Sequence, residues 1–206
     1  IRNLGNGVAV GNIRGDWQEG PIQETGMETH LAINGDGFLP VALNGNTYYT
    51  RAGNFTLVET AAGSGTYALM RPDGSVLQDA SGAADLTFAA LPDSILIEGD
   101  GTVSTTGTGA TPSGNVGLMR FSHPDALIRH DGGLYEATTA ASGLAAPVAP
   151  GGSGTGTLEQ GALENSNVDL VNEFSDLVVT QRAFQANSRS ISAASVMLME
   201  VIRMAR

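Results

Sequence analysis

Short apolar runs separated by turn-forming residues occupy most of residues 31–137. Asn44-Gly45-Asn46 lies between two such runs, and Asn-Gly supplies the positive φ angles of a tight hairpin. Pro72-Asp73-Gly74 is a second turn, because Pro sets the first φ angle and Gly accepts the strained position. The pattern predicts an all-β barrel or sandwich-like body of about eight to ten short strands. The predicted strands are Leu31–Ile33, Phe38–Leu43, Thr47–Thr50, Phe55–Val58, Tyr67–Met70, Ser75–Leu77, Ile95–Ile97, Thr102–Thr105, Val116–Phe121 and Leu134–Ala137.

A different pattern runs from Ser166 to Arg206, a stretch without Gly or Pro. Apolar positions there repeat in steps of four and three, which is the heptad pattern of a coiled-coil seam on one long helix. Such a helix is about 55–60 Å long at 1.5 Å per residue, so we expect its seam to meet other helices. The predicted assembly interface comprises Leu170, Phe174, Leu177, Gln181, Phe184, Ser188, Ile191, Leu198 and Ile202, and the same spacing includes Ser195 and Ala205.

The alternative is that this long helix folds back on its own β body. The polar seam positions Gln181, Ser188 and Ser195 leave that alternative open. Ser166 and Asp169 predict a capping box at the start of the helix. Acidic residues near the start and Arg203 and Arg206 at the end suit the helix dipole.

The fold class is therefore mainly β, with a single β-rich body of short strands plus one long C-terminal α-helix. We predict a β-rich body with an extended N-terminal segment over residues 1–139, a flexible linker over 140–157 and a helical assembly segment over 158–206. The linker prediction rests on its Ala, Gly, Ser, Thr and Pro composition. Within the N-terminal segment, Val8–Val10 and Gln18–Glu24 are candidate extended pieces.

Charge and composition narrow the functions that the chain can have. The net charge is −11, and the stretch from Ser166 to Arg206 is neutral, so the acidity falls on residues 1–164; this disfavours nucleic acid and anionic membrane surfaces as partners. The chain has no Lys, which excludes Schiff-base chemistry, and no Cys, which excludes disulfides and thiolate sites. We recognise no transmembrane run and no signal peptide. Because the chain begins with Ile1, we expect it to be a piece of a longer protein.

The sequence predicts no catalytic, cofactor-binding or metal site. His123, Asp125, His130 and Asp131 form the one tempting cluster, but the histidine spacing is not that of a helical zinc site. The Asn34–Gly37 and Gly99–Gly101 turns lack the later ligands of a calcium loop. One binding alternative remains, since Trp17 and the pair Tyr48-Tyr49 could form an aromatic platform of a secreted carbohydrate-binding module.

Several motifs resemble those of one known family. Gly161–Leu170 and Val179–Arg189 closely resemble the C-terminal signature of bacterial flagellar rod and hook proteins. The segments Leu31–Phe38 and Tyr49–Phe55 resemble the family's central β-domain signature. Its later strands are similar to Leu118–Phe121, Pro124-Asp125 and Gly133–Tyr135. Hook-like features are Asp169-Leu170, Phe174–Leu177 and Gln185–Ser188.

The resemblance implies a structural protein without catalysis or cofactor. The expected function is a subunit that self-assembles helically into the flagellar hook; a distal or proximal rod subunit is the alternative. The implied partners are copies of itself and other axial proteins: rod, hook–filament junction and hook cap. The implied location is the hook or basal body of the bacterial flagellum, reached by export without a cleaved signal peptide. The family's N-terminal helix, which would pair with the C-terminal one, is expected upstream of Ile1.

Overall fold

The structure is a computed structural model that describes residue 15, residues 17–144 and residues 146–204. The chain divides into two compact units, one ending at Ser166 and the other beginning at Asn167. In the described residues the first unit, here called the β unit, contains short strands and single 3₁₀ turns, and the second contains one long helix, α1. The prediction of a mainly β fold with one long C-terminal helix is confirmed.

The described strands are short, none longer than five residues. They are β1 Ile22–Glu24, β2 Leu31–Asn34, β3 Leu39–Leu43, β4 Asn46–Thr50, β5 Thr56–Glu59, β6 Tyr67–Met70, β7 Val76–Leu77, β8 Thr87–Phe88, β9 Ser94–Ile97, β10 Val103–Thr106, β11 Ile128–His130, β12 Leu134–Glu136, β13 Thr157–Gln160 and β14 Ala162–Glu164. The 3₁₀ turns are Pro124–Ala126, Asp131–Gly133 and Thr139–Ala141, and the helix α1 is Leu170–Met204.

The largest sheet has the strand order β11-β12-β4-β3-β7-β6-β5, with β8 also paired to β6. Its centre is the β3–β4 hairpin, in register from Leu39 opposite Thr50 to Leu43 opposite Asn46. Asn44 and Gly45 form the hairpin tip with φ angles of 52° and 80°. This is the tight turn that the Asn-Gly pair predicts, since only Gly and a few polar residues adopt positive φ at low cost.

Three two-stranded pairings complete the β unit: β1 with β14, β2 with β13, and β9 with β10. The first two join the chain's beginning to its later part, because β1 and β2 lie near residue 30 and their partners near residue 160. These pairings build one main core and a smaller aromatic one. The main core includes Leu31, Ile33, Leu39, Phe55, Leu69, Phe88, Leu118 and Leu158, and the aromatic core includes Phe38, Met119, Phe121 and Leu127.

The strand predictions succeed where local patterning is strong and miss strands with little apolar alternation. β8, β11, β13 and β14 were not predicted, since each has two to four residues and little apolar alternation. Residues 116–121, predicted as one strand, instead make isolated bridges to four separate segments. The candidate piece Val8–Val10 lies outside the described residues.

The segment 140–157, predicted as a flexible linker, is in its described part a packed portion of the β unit. Val148 and Leu118 exchange two backbone hydrogen bonds, of 2.8 and 2.9 Å, and Ala141 is fully buried. The chain continues directly into β13 and β14, so the two compact units divide between Ser166 and Asn167 instead of at residue 157. Small residues permit this close packing as readily as they permit flexibility, which is why composition alone was misleading here.

Candidate assembly interface

The helix α1 begins at a local capping site. The Asp169 carboxylate accepts hydrogen bonds from the backbone N–H groups of Val171 and Asn172, at 2.9 and 3.4 Å. Asp169 is therefore the N-cap residue, the role that the sequence assigned to Ser166. A carboxylate at this place also meets the positive end of the helix dipole. From there α1 runs for 35 residues, about 52 Å at 1.5 Å per residue.

The predicted seam lies along α1 and is open over its whole length. Among the described residues of α1 none is buried. The seven large apolar seam residues are 61–72% exposed: Leu170, Phe174, Leu177, Phe184, Ile191, Leu198 and Ile202. Gln181, Ser188 and Ser195 interleave with them on the same face and are also exposed. Ala205 lies outside the described residues. An apolar surface of this extent on a protein normally marks an interaction site.

The apolar surface of α1 is wider than the predicted seam at both ends. Near the start, Val171 and Val178 flank the seam on one side and form a shallow apolar groove with Phe174 and Ser175. Near the end, apolar side chains cover most of the helix circumference, and the exposed pair Glu200 and Arg203 lies on the remaining side. These apolar side chains are Val196, Met197, Leu198, Met199, Val201, Ile202 and Met204, all at least 58% exposed. A helix surface that is apolar over most of its circumference is normally buried in a protein, and here it is exposed.

The middle of α1 is narrower and more polar. Gln185 and Ser192 lie beside Gln181, Ser188 and Ser195, so a polar stripe adjoins the apolar line there. The Ser192 hydroxyl donates to the carbonyl of Ser188 at 3.0 Å, which satisfies that hydroxyl within the helix itself. The sequence also shows the wider apolar surface at the two ends of α1, because apolar residues occupy positions next to the heptad seam there. A prediction based only on the four–three spacing does not include those positions.

β14, the last strand before α1 in the sequence, is held in the β unit by a partly buried ion pair. Arg51 Nε lies 2.8 Å from Glu164 Oε2, and the two side chains are only 20% and 11% exposed. The same guanidinium donates to the carbonyls of Gly35 and Gly37, each at 3.1 Å. The other carboxylate oxygen of Glu164 accepts the backbone N–H of Gly20 at 3.1 Å. One ion pair therefore ties together four separate parts of the chain.

Two glycines allow segments that are distant in sequence to approach each other closely within the β unit. A Cβ on Gly53 would stand 1.7 Å from the carbonyl oxygen of Leu31, and a Cβ on Gly156 would stand 2.2 Å from that of Asn34. Neither separation is sterically possible. Leu31–Phe38, Tyr49–Phe55 and the segment that ends at Glu164 are thus packed as one unit, although they are far apart in sequence.

The aromatic residues of the carbohydrate alternative form no open platform. The Trp17 ring packs edge-on to Phe38, with centroids 5.8 Å apart, and against Tyr135 at 5.2 Å. Its indole N–H donates to Asp125 Oδ1 at 2.8 Å. Tyr49 packs on Phe121, and burial raises the pKa of the Tyr49 hydroxyl. These contacts give Trp17 and Tyr49 a packing role in the aromatic core.

The histidine cluster is dispersed into separate contacts. His130 Nε2 lies 2.8 Å from Glu136 Oε2, and its ring packs edge-on to Tyr48, whereas Asp125 is engaged by Trp17. In the described part of the chain, no group of three or more metal-ligating side chains is arranged to hold an ion. Over the same residues, no helix has the length and apolarity to cross a membrane.

Known protein families match both halves of this arrangement. The family model described as the flagellar hook protein FlgE/F/G D1 domain matches residues 32–105, within the β unit. The model described as the flagellar basal body rod FlgEFG protein C-terminal matches residues 159–204, which include β14 and α1.

Individual relatives align with nearly the whole chain. The flagellar basal-body rod protein FlgG of Bacillus subtilis is 34% identical over 100% of this chain and 76% of its own length. FlgG of Caulobacter vibrioides is 34% identical over 95% of this chain and 71% of its own length. The flagellar basal-body rod protein FlgF of Caulobacter vibrioides is 32% identical over 83% of this chain and 63% of its own length.

Proposed function

This chain belongs to the family of bacterial flagellar hook and rod proteins, and from that premise we propose that it is a structural subunit of the flagellar rod. In this proposal, copies of the chain associate through α1 into a tubular axial structure. The subunit acts by self-association, without catalysis. A contact that joins two different surfaces of identical subunits, and does not close into a ring, extends into a helical assembly.

The rod is preferred over the hook, which the sequence motifs put first. Relatives that align over more than nine tenths of this chain carry the name rod protein FlgG. The hook-like motifs Phe174–Leu177 and Gln185–Ser188 lie in α1, a region covered by a family model whose description names FlgE, FlgF and FlgG together. These motifs therefore do not separate the two assemblies, whereas the whole-chain relatives favour the rod.

The observation that carries self-association is the exposed apolar surface of α1. The distribution of charge along the chain also supports α1 as the surface through which copies make contact. Its acidic residues are Glu173, Asp176 and Glu200, and its basic residues are Arg182, Arg189 and Arg203, so three charges of each sign cancel. The β unit carries the chain's acidity, and like-charged β units repel one another. Copies can therefore approach through α1 with little electrostatic penalty.

The partners in this proposal are further copies of the chain and other axial components of the flagellum. The location is the basal body, and export without a cleaved signal peptide is part of the proposal. Light scattering and sedimentation of the purified protein over a range of concentrations test self-association. We expect larger species as the concentration rises.

A matched pair of substitutions makes the assembly test specific to the seam. Leu177→Asp places a charge in the seam and should suppress the larger species. Ala186→Asp places the same charge nine residues away, which is two and a half turns and thus the opposite face of α1, and should suppress them less. A protein that stays monomeric at every concentration, or that responds equally to both changes, would contradict assembly through this seam.

Genetic complementation separates the rod from the hook. The full-length gene is expressed in two strains of a flagellated bacterium, one lacking its FlgG rod subunit and one lacking its hook subunit. We expect restored flagella only in the strain that lacks the rod subunit. Restoration only in the hook-deficient strain would overturn the rod assignment and leave the family assignment in place.

A further inference from the structure

We propose that the β3–β4 hairpin tip is a site of spontaneous covalent modification, at which Asn44 loses its side-chain amide to form aspartate and isoaspartate. The chain contains Asn-Gly at residues 6–7, 34–35 and 44–45, and this dipeptide is the most reactive context because Gly leaves the following backbone nitrogen unhindered. The first of the three lies outside the described residues. The other two occupy contrasting environments in the β unit.

Asn44 and Gly45 are open to solvent and unsupported by packing. Both are exposed, and no atom beyond the chain neighbours lies within 4 Å of the place where a Cβ of Gly45 would stand. Asn44 has a φ angle of 52°, a left-handed conformation that favours no residue except Gly and is tolerated by Asn. Leu43 and Asn46 pair at the base of the turn, but no packing contact around Gly45 opposes a rotation of its backbone.

Asn34 and Gly35 have the same chemistry but are held on both sides. The Asn34 side-chain amide donates to Glu159 Oε1 at 2.8 Å. The Gly35 backbone N–H, which would become the attacking nitrogen, donates to a carboxylate oxygen of Glu19 at 2.5 Å. Asn34 also lies in β2 and is paired with Thr157 of β13. The amide and the attacking nitrogen are both engaged, so this site should be protected while the protein is folded.

The chemical step needs water alone as a co-reactant. The backbone nitrogen of Gly45 attacks Cγ of Asn44, a nitrogen–carbon bond forms, and the side-chain nitrogen leaves as ammonia with the proton of the attacking amide. Water then adds to one of the two carbonyl carbons of the cyclic imide and opens it. Opening at one carbonyl gives aspartate, and opening at the other gives isoaspartate, in which the main chain runs through the former side chain.

Both products change the hairpin tip. Each adds a negative charge to a groove that Asn44 and Asp85 line together, on a chain whose net charge is already −11. Isoaspartate also lengthens the main chain at a two-residue turn whose geometry sets the register of β3 and β4.

Peptide mass spectrometry tests the proposal with an internal control. The folded protein is incubated in mildly alkaline buffer and cut after arginine, which yields one peptide spanning residues 15–51 with both Asn34 and Asn44. Fragmentation locates the mass increase that replaces an amide by an acid. We expect several-fold more conversion at Asn44 than at Asn34, and similar conversion at both sites when the protein is unfolded in urea.

A variant extends the test to the protecting contact. Glu19→Ala removes the acceptor of the Gly35 N–H and should raise conversion at Asn34 without affecting Asn44. Equal conversion at the two sites in the folded protein would overturn the proposal, as would conversion of both only after unfolding. Asn44→Ser abolishes the reaction at the tip and confirms the assignment of the modified peptide.

Discussion

The β unit and α1 place their apolar residues in opposite ways. In the β unit, Leu31, Phe55 and Phe88 are fully buried, and strands distant in sequence enclose them. In α1, side chains of similar size and type are exposed along the whole helix. An isolated helix gains little stability from its own hydrogen bonds, so most helical stability in proteins comes from packing. The β unit thus buries its large apolar side chains within one chain, whereas α1 leaves its own exposed, as the proposed assembly through α1 requires.

The largest expected difference between the two units comes from removing one phenylalanine side chain from each. Phe55→Ala should lower the free energy of unfolding by about 4 kcal/mol, because it leaves a cavity in the main core. Phe184→Ala should change it by less than about 0.5 kcal/mol, the usual range for a surface position. Urea denaturation followed by fluorescence of Trp17, the one tryptophan of the chain, measures both. At a concentration where the protein is monomeric, similar losses in the two variants would show that α1 is packed within the monomer.

Gly53→Ala tests how closely the backbone at Gly53 approaches Leu31 in the β unit. The added Cβ would collide with the carbonyl oxygen of Leu31, and we expect a loss of about 3 kcal/mol in the free energy of unfolding. Gly99→Ala is the control, since its Cβ would meet the carbonyl oxygen of Leu158 at an ordinary 3.4 Å. If thermal unfolding of both variants matches that of the parent protein, the approach of these strands is looser than the structure has it.

The ion pair that fastens β14 should contribute less than core packing. Glu164→Gln removes the charge that faces Arg51 while keeping the side-chain shape, and we expect a loss of about 2 kcal/mol, the range for hydrogen bonds to charged groups. The exposed Glu98→Gln serves as a control for the change in net charge. Urea denaturation at low and high salt is the measurement. A loss that vanishes in high salt would indicate a screened surface pair instead of a partly buried one.

The smallest expected effect is a pH dependence located at Asp73 in the β unit. Burial would raise the pKa of this carboxyl, but hydrogen bonds from the Ser75 hydroxyl and backbone N–H, together with Arg71, lower it below the usual value. A lowered pKa contributes stability above the pKa of the unfolded chain, and the contribution is lost as the pH falls through the folded-state pKa.

The Asp73 effect is measured as a difference between two proteins. Asp73→Asn should be less stable than the parent near neutral pH, and the gap should close as the pH falls through the acidic range. Thermal unfolding at a series of pH values gives both curves. A gap that stays constant down to the most acidic pH would mean that the charge of Asp73 does not contribute.

Local sequence patterns predicted the elements whose causes are local. The Asn44-Gly45 turn, the flanking strands and the heptad seam of α1 each depend on residues within a few positions of one another. The same reasoning placed the helix cap at Ser166, three residues too early, because Ser and Asp are both good N-cap residues and both occur there. Only the geometry shows that Asp169 meets the free N–H groups.

Features that depend on distant residues were not predictable in this way. Arg51 and Glu164 are 113 positions apart, and neither carries a local signal of the other. The packing of Val148 on Leu118 likewise depends on the whole fold, since Gly, Ala and Pro in residues 140–157 gave no periodicity to follow. The sequence thus indicated the line of apolar residues on α1. It did not indicate the ion pair that holds β14, the strand before α1.

The pairing of β1 with β14 has a mechanical consequence. Ile22 lies opposite Glu164, so the chain enters β1 and leaves β14 at the same end of this two-stranded ribbon. Tension that draws both connections in one direction leaves the ribbon's own hydrogen bonds nearly unloaded, because the two strands move together. The load passes instead to the contacts between the ribbon and the rest of the β unit. For a force transmitted along the chain from α1, the Arg51–Glu164 pair is the first of these contacts.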